Sequence, residues 1–206
     1  DHGGPLLADQ RARHRRLRDT SLAELVASGS PDQARYDFTS RWQLQTDRES
    51  VWEALVEFRQ WPEWWPGLRS VEEIAPGDED GIGQSATSTW RGPLGYTLDF
   101  AIETVERVRP EYLLGVASGD LEGSGRWILS EVTAAGPRAP VWTEVLFEWQ
   151  VVATQGWMRR LAPLARPVFV LSHDHVMKGG AEGLAGHLGC RLRDFTAGSG
   201  DQVSSD

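Results

Sequence analysis

The 206-residue chain has a single cysteine, Cys190, which excludes an intramolecular disulfide and any all-cysteine metal site. It lacks any run approaching the ~20 consecutive apolar residues that span a bilayer. It also lacks an apolar stretch followed by a small-residue cleavage site near its start, so neither a transmembrane helix nor a secretory signal is expected. Lysine is nearly absent: Lys178 stands alone, and arginine carries the positive charge. With Lys+Arg 21 against Asp+Glu 30 the formal net charge is −9, the wrong sign for a surface that tracks phosphates. The one basic concentration is Arg11, Arg13, Arg15, Arg16 and Arg18, which reads as a solvated tail capable of no more than a weak membrane or partner contact. These absences lead us to expect a reduced, cytoplasmic protein with no nucleic-acid partner.

Tyrosine and phenylalanine are scarce, at three and six, while tryptophan reaches ten. Tryptophan buries a large apolar area and keeps one N–H donor, so it serves either a core or a wall that grips a ligand. The remaining composition, 40% hydrophobic and 25% charged, is ordinary for a globular domain. At this length a domain buries roughly 70% of the surface its unfolded chain exposes, enough for a core without disulfides.

Hydrophobic periodicity divides the chain into three parts. Residues 1–34 form an extension with a short Arg-rich amphipathic helix over residues 10–27, stopped by Ser28-Gly29-Ser30-Pro31. Residues 35–195 form the domain. Residues 196–206, rich in Gly, Ser and Asp, are expected to be a disordered tail. The domain opens on the alternation Tyr36, Phe38, Ser40, Trp42, Leu44, a half-buried strand. A helix capped by Thr46 or Asp47 follows, with Val51, Trp52, Leu55 and Phe58 on one face. Six further strand patterns, separated by short Gly- and Pro-containing turns, run to Val151, which makes seven antiparallel strands. Pro163 and Pro167 are expected to break the helical stretch after Trp157, with Pro167 opening a long final helix. That helix carries Phe169, His173, Met177 and Leu184 on one face and an Asp174–Lys178 pair on the other. A sheet with one apolar face must cover it, and this helix is the only large element left to do so.

Four phrases in this order carry a family resemblance. They are Val51-Trp52-Glu53-Ala54-Leu55; Trp61-Pro62-Glu63-Trp64-Trp65-Pro66-Gly67; Gly119 to Trp127; and Pro167-Val168-Phe169 through His173-Asp174-His175-Val176-Met177 to Leu184. Residues 36–190 resemble the START-like (SRPBCC) superfamily, which includes polyketide cyclase/dehydrases and lipid-transfer proteins. The resemblance implies an α+β helix-grip fold, a curved seven-stranded antiparallel sheet around the long C-terminal helix, with a tunnel between them for a small hydrophobic molecule. Its walls would come from Leu98, Phe100 and Ile102, from Trp127 and Leu129, and from Phe147 and Trp149. The helix would add Phe169, His173, Met177 and Leu184, and the turn holding Trp64 and Trp65 would close one mouth. Five glycines in the helix (Gly179, Gly180, Gly183, Gly186 and Gly189) each cost roughly 1 kcal/mol against Ala. They point to close approach of helix and sheet, or to room for a ligand.

No phosphate loop, nucleophile elbow or zinc spacing is present. His173 and His175 diverge by about 200° on a helix and cannot share one ion, so neither metal nor cofactor is expected. His173, on the inward face, is the candidate acid/base, with a satisfied core histidine as the alternative. Three readings stay open: a binding module for a lipid-like or polyketide-like ligand, a polyketide cyclase/dehydrase using His173, and a non-catalytic interaction domain.

Overall fold

The computed structural model describes residues 35–93, 95–133 and 140–199. The chain divides into two units, Asp1–Gln33 and Ala34–Asp206. The expected Arg-rich helix and the last residues of the expected tail, from 200 on, lie outside the described residues.

Strand β1 (Arg35–Leu44) buries Tyr36, Phe38, Ser40, Trp42 and Leu44 on one face, as the alternation requires. Asp47 then caps helix α1 (Arg48–Val56). The Ser50 amide and the Ser50 hydroxyl both donate to its carboxylate, each at 2.8 Å. Those bonds favour the ionised form and hold the Asp47 carboxyl below its usual range. The helix buries Val51, Trp52, Ala54 and Leu55. A 3-10 turn, Phe58–Gln60, leads into the one-turn helix α2 (Trp61–Trp64), with Pro62 in its first turn where a missing N–H costs nothing.

Six strands follow: β2 (Leu68–Pro76), β3 (Gln84–Arg91), β4 (Thr97–Val108), β5 (Tyr112–Gly119), β6 (Leu121–Thr133) and β7 (Val141–Ala153). Each pairs antiparallel with the next, and β7 returns to β1. Register shifts at Glu73/Ala75 in β2 and Thr104/Glu106 in β4 interrupt the ladders, and such bulges bend a strand and help to curve the sheet. Helix α3 (Gly156–His187) lies in that curve. None of the helices of the described residues is long and apolar enough to cross a membrane.

Two expectations are corrected here. Helix α3 is continuous through Pro163 and Pro167, because a proline deletes one backbone bond and bends a helix without having to end it. The sheet has eight strands: β8 (Leu192–Ser199) pairs with the free edge of β1, so residues 196–199 are strand and not tail. The reversal between α3 and β8 is a Schellman turn. Gly189, at φ +61, lets the Cys190 amide reach the Ala185 carbonyl at 2.9 Å and its own amide reach Gly186 at 3.2 Å. On α3 itself, Lys178 approaches Glu182 at 3.8 Å, while Asp174 lies beside His173.

The interior holds two apolar clusters. One gathers Trp42, Trp52, Trp64, Trp65 and Trp127 with Leu44, Leu129 and Leu184 beneath α1 and α2. The other gathers Tyr36, Phe38, Phe100, Trp149 and Phe169.

Candidate functional site

A cavity of about 220 Å³ lies between the sheet and α3. Strand pairing sets its walls, since residues paired across antiparallel strands share a face. Ala86 opposes Ile102, Ser88 opposes Phe100 and Trp90 opposes Leu98, and all six line the cavity. On the far side Trp127 opposes Phe147 and Gly125 opposes Trp149. Helix α3 contributes Phe169, Ser172, His173, Val176 and Met177, successive positions of one helical face.

Of the residues singled out from the sequence, Trp65, Leu98, Phe100, Ile102, Trp127, Phe147, Trp149, Phe169, His173 and Met177 border this space. Trp64, Leu129 and Leu184 point inward but fall past its end, where they are packed in the first cluster. Sequence reasoning passed over Tyr36, Phe38 and Tyr96 as wall residues. The signal was present: Tyr36 and Phe38 share the buried period-2 face of β1, and Tyr96 sits two residues before Leu98.

Trp65 lines the cavity at the tryptophan turn. Its ring lies 5.2 Å from that of Trp90, 5.3 Å from Trp61 and 6.0 Å from Trp42, and its Nε1 donates to the Val176 carbonyl at 2.9 Å. Two of the five helix glycines explain how α3 gets there. A Cβ on Gly180 would lie 2.5 Å from Trp65 Cε2, and one on Gly183 would overlap the Trp64 carbonyl oxygen. The close approach is therefore to the tryptophan turn, whereas the sequence pointed to the sheet. Gly186 faces open space, and Gly189, expected in the helix, lies past its end in the turn to β8.

The other end is formed by Tyr36, Phe38, Tyr96, Phe169 and His173. The His173 imidazole stacks on Phe38 with ring centres 4.0 Å apart, and Phe169 meets Tyr36 and Tyr96 edge-on. Burial is the main force on His173 and lowers its pKa; the Asp174 carboxylate, 3.6 Å from Nδ1, opposes this less strongly. The ring is therefore neutral at neutral pH. Burial likewise raises the Tyr96 phenol, against a hydrogen bond with Ser172, so it too is uncharged. His175 is exposed on the other side of the helix, and among the described residues no three His, Cys, Asp or Glu side chains converge. The site is an aromatic-walled apolar space with one neutral imidazole in its wall.

No family model and no curated protein matches the sequence. Solved structures do match the fold. The chain is similar to the Zhui aromatase/cyclase from Streptomyces sp. R1128, at a TM-score of 0.59 and 14% identity over 75% of this chain and 94% of that one. It is similar to the di-domain ARO/CYC BexL from the BE-7585A biosynthetic pathway, at 0.54 and 18% identity over 91% of this chain and 62% of that one. A START superfamily protein from Mycobacterium smegmatis aligns at 0.51 and 15% identity over 75% and 97%. At these identities the likeness speaks to architecture alone, and together with the sheet and helix described above it gives the chain the START/SRPBCC helix-grip fold.

Proposed function

We propose that this chain binds a small hydrophobic molecule, lipid-like or polyketide-like, in the cavity between the sheet and α3. The observation that supports the reading is the cavity itself. Protein interiors pack to crystal density and leave few voids larger than a water. An apolar cavity of about 150 Å³ already takes up a benzene-sized molecule, and this one is about 220 Å³. Its ligand contacts are Leu98, Phe100 and Ile102 from β4, Trp127, Phe147 and Trp149 from β6 and β7, and Phe169, His173 and Met177 from α3, with Trp65 at the tryptophan turn.

Native mass spectrometry of gently purified protein, beside its denatured mass, tests this reading, together with equilibrium dialysis against naphthalene. Retained mass in the lipid or polyketide range, or saturable uptake of one naphthalene per chain, is the expected result. A clean apo mass with no naphthalene uptake would sink it and leave an interaction domain as the reading.

One observation favours a second reading, a polyketide cyclase/dehydrase. His173 places a neutral imidazole in the wall of a largely apolar space, the form in which it can act as a base. In an aldol closure it would take a proton from a carbon between two carbonyls. That carbon would bond to a further carbonyl carbon, and the imidazolium would protonate the alkoxide so formed. The neutral ring would then take the second proton of the same carbon and pass it to the departing hydroxyl, releasing water as the carbon–carbon double bond forms. Turnover of a linear poly-β-ketone that His173→Ala abolishes while ligand uptake persists would establish it, and unchanged turnover would remove the role.

A further inference from the structure

A polar group on a ligand can be met only by cavity side chains that have both hydrogen-bonding capacity and surface to offer. Most of the polar lining fails one of these conditions. The Ser88 hydroxyl donates to the Phe100 carbonyl at 3.2 Å and accepts from Trp90 Nε1 at 3.0 Å. The Tyr96 phenol and Ser172 are bonded to each other. The Tyr36 hydroxyl and both His173 nitrogens are fully buried. Ser85 and Arg91 occupy outward positions of β3, whose inward face is Gln84, Ala86, Ser88 and Trp90.

Gln84 and Thr104 remain. Both line the cavity, Gln84 two residues before Ala86 on β3 and Thr104 two after Ile102 on β4. The Gly83 amide donates to the Thr104 carbonyl at 2.8 Å, which continues the β3–β4 register and sets Gln84 beside Thr104 on the inner face. Each is half-buried, and among the described residues neither side chain has a hydrogen-bond partner in the protein. Their polar atoms are not sealed from solvent as those of His173 are. Next along the same face come Ala86 with Ile102 and Ser88 with Phe100, a path whose one hydroxyl is already bonded.

We infer that Gln84 and Thr104 form the polar pole of the cavity. Its ligand is an apolar body carrying one neutral head group that both donates and accepts a hydrogen bond, a hydroxyl or a carboxamide. A carboxamide side chain and a hydroxyl each give and take a hydrogen bond without charge, so a head group with the same two abilities matches them. A carboxylate would find no cation in the described lining at this end. Arg59, which follows the lining residue Phe58, is held by Glu73 at 3.1 Å and Glu57 at 3.4 Å. Arg107, opposite the lining residue Leu113, packs over the Trp52 ring at 5.4 Å. A desolvated charge without a counter-ion is strongly disfavoured. This inference rests on the hydrophobic-ligand reading above and adds to it where the ligand's polar group lies and what that group is.

Equilibrium dialysis of the full chain at neutral pH against naphthalene, 2-naphthamide and 2-naphthoate tests it. Gln84→Met and Thr104→Val keep side-chain size and remove the hydrogen-bonding groups. Each is expected to weaken 2-naphthamide about threefold to tenfold, the equivalent of one hydrogen bond, while naphthalene changes by less than about twofold. His173→Phe should leave the ratio of the two affinities as it is. If both β-strand variants weaken naphthamide no more than naphthalene, the polar pole is wrong and the apolar cavity stands. Tighter binding of naphthoate than of naphthamide to the wild type would show a cation serving the head group and overturn its neutrality. Failure of all three compounds to bind removes the hydrophobic-ligand reading and this inference with it. Nuclear Overhauser contacts in the wild-type complex give a check that needs no variant. The amide protons of naphthamide are expected near the Thr104 methyl, and contacts from them to Phe38 or Phe169 instead overturn the proposal.

Discussion

At the tryptophan end of the interior, α3 lies so close to α2 that a methyl on Gly183 would overlap the Trp64 carbonyl. Ten residues and more toward the N-terminus of the same helix, His173 and Phe169 look across an unfilled space. Both ends are walled by aromatic rings, and they differ in what holds the helix in place. At the first end the limit is backbone against backbone, which cannot yield. At the second it is ring against ring, with room behind. Residue type thus decides that a region is apolar, while the smallest side chain on the approaching helix decides whether it is solid or hollow.

The largest effect that tests this contrast is at Trp42, which is fully buried with Trp65 and Trp127 edge-on to it at 6.0 and 5.4 Å. Trp42→Ala should cost about 3–5 kcal/mol in urea denaturation. Phe169→Ala, at the edge of space that is already empty, should cost clearly less; equal losses would erase the distinction. Adding one methyl sharpens it. Gly183→Ala meets a backbone oxygen and should cost about 1–3 kcal/mol while leaving naphthalene binding alone once folded. Gly125→Ala meets the Trp149 ring at 2.5 Å, and that ring can swing into the cavity. It should lose under about 1 kcal/mol yet weaken naphthalene binding severalfold. Matching stability losses with intact binding in both variants would refute the difference.

Acidity probes the hollow end next. Burial lowers the pKa of His173 in the folded state below its usual 6.5, so the unfolded chain binds the proton more readily. The contribution is fully present above 6.5 and is lost as pH falls toward the lowered value. The urea midpoint should therefore drop between pH 7.5 and 5 more steeply in the wild type than in His173→Gln; parallel curves would show that the ring is not buried as described. The smallest effect lies at the solid end, at the cap of α1. Asp47→Ala should cost about 1 kcal/mol. Because the folded-state pKa of Asp47 is lowered, what it adds is present above 3.8 and fades below it.

Much of the architecture was legible because it is written in periods. Alternation located β1, β4 and β7, Gly- and Pro-containing turns marked off β2, β3, β5 and β6 between them, and 3–4-residue spacing located α1 and the inward face of α3. What alternation could not show was β8. Its Leu192 and Phe195 are its only large apolar residues, and the strand exists because β1 has a free edge to pair with. Nor could proline content show that α3 runs unbroken, since that depends on whether surrounding structure tolerates a bent helix. The cavity was half legible. Periodicity told which way Leu129 and Leu184 face, but where side chains stop short of meeting is a property of three dimensions. Trp64, inward and aromatic like its neighbour Trp65, ended up in solid core for that reason alone.

The pairing of β8 with β1 has a mechanical consequence. The strands are antiparallel, and Ser199 lies opposite Phe38, so Arg35 and Ser199 sit at the same end of the β1–β8 pair. A pull applied between Arg35 and Ser199 loads the β1–β8 ladder one rung at a time, as a zipper opens, and never shears all its bonds together. Under tension β8 should peel away at low force while β1 stays anchored to β7 along its whole length, from Arg35↔Val152 to Leu44↔Thr143.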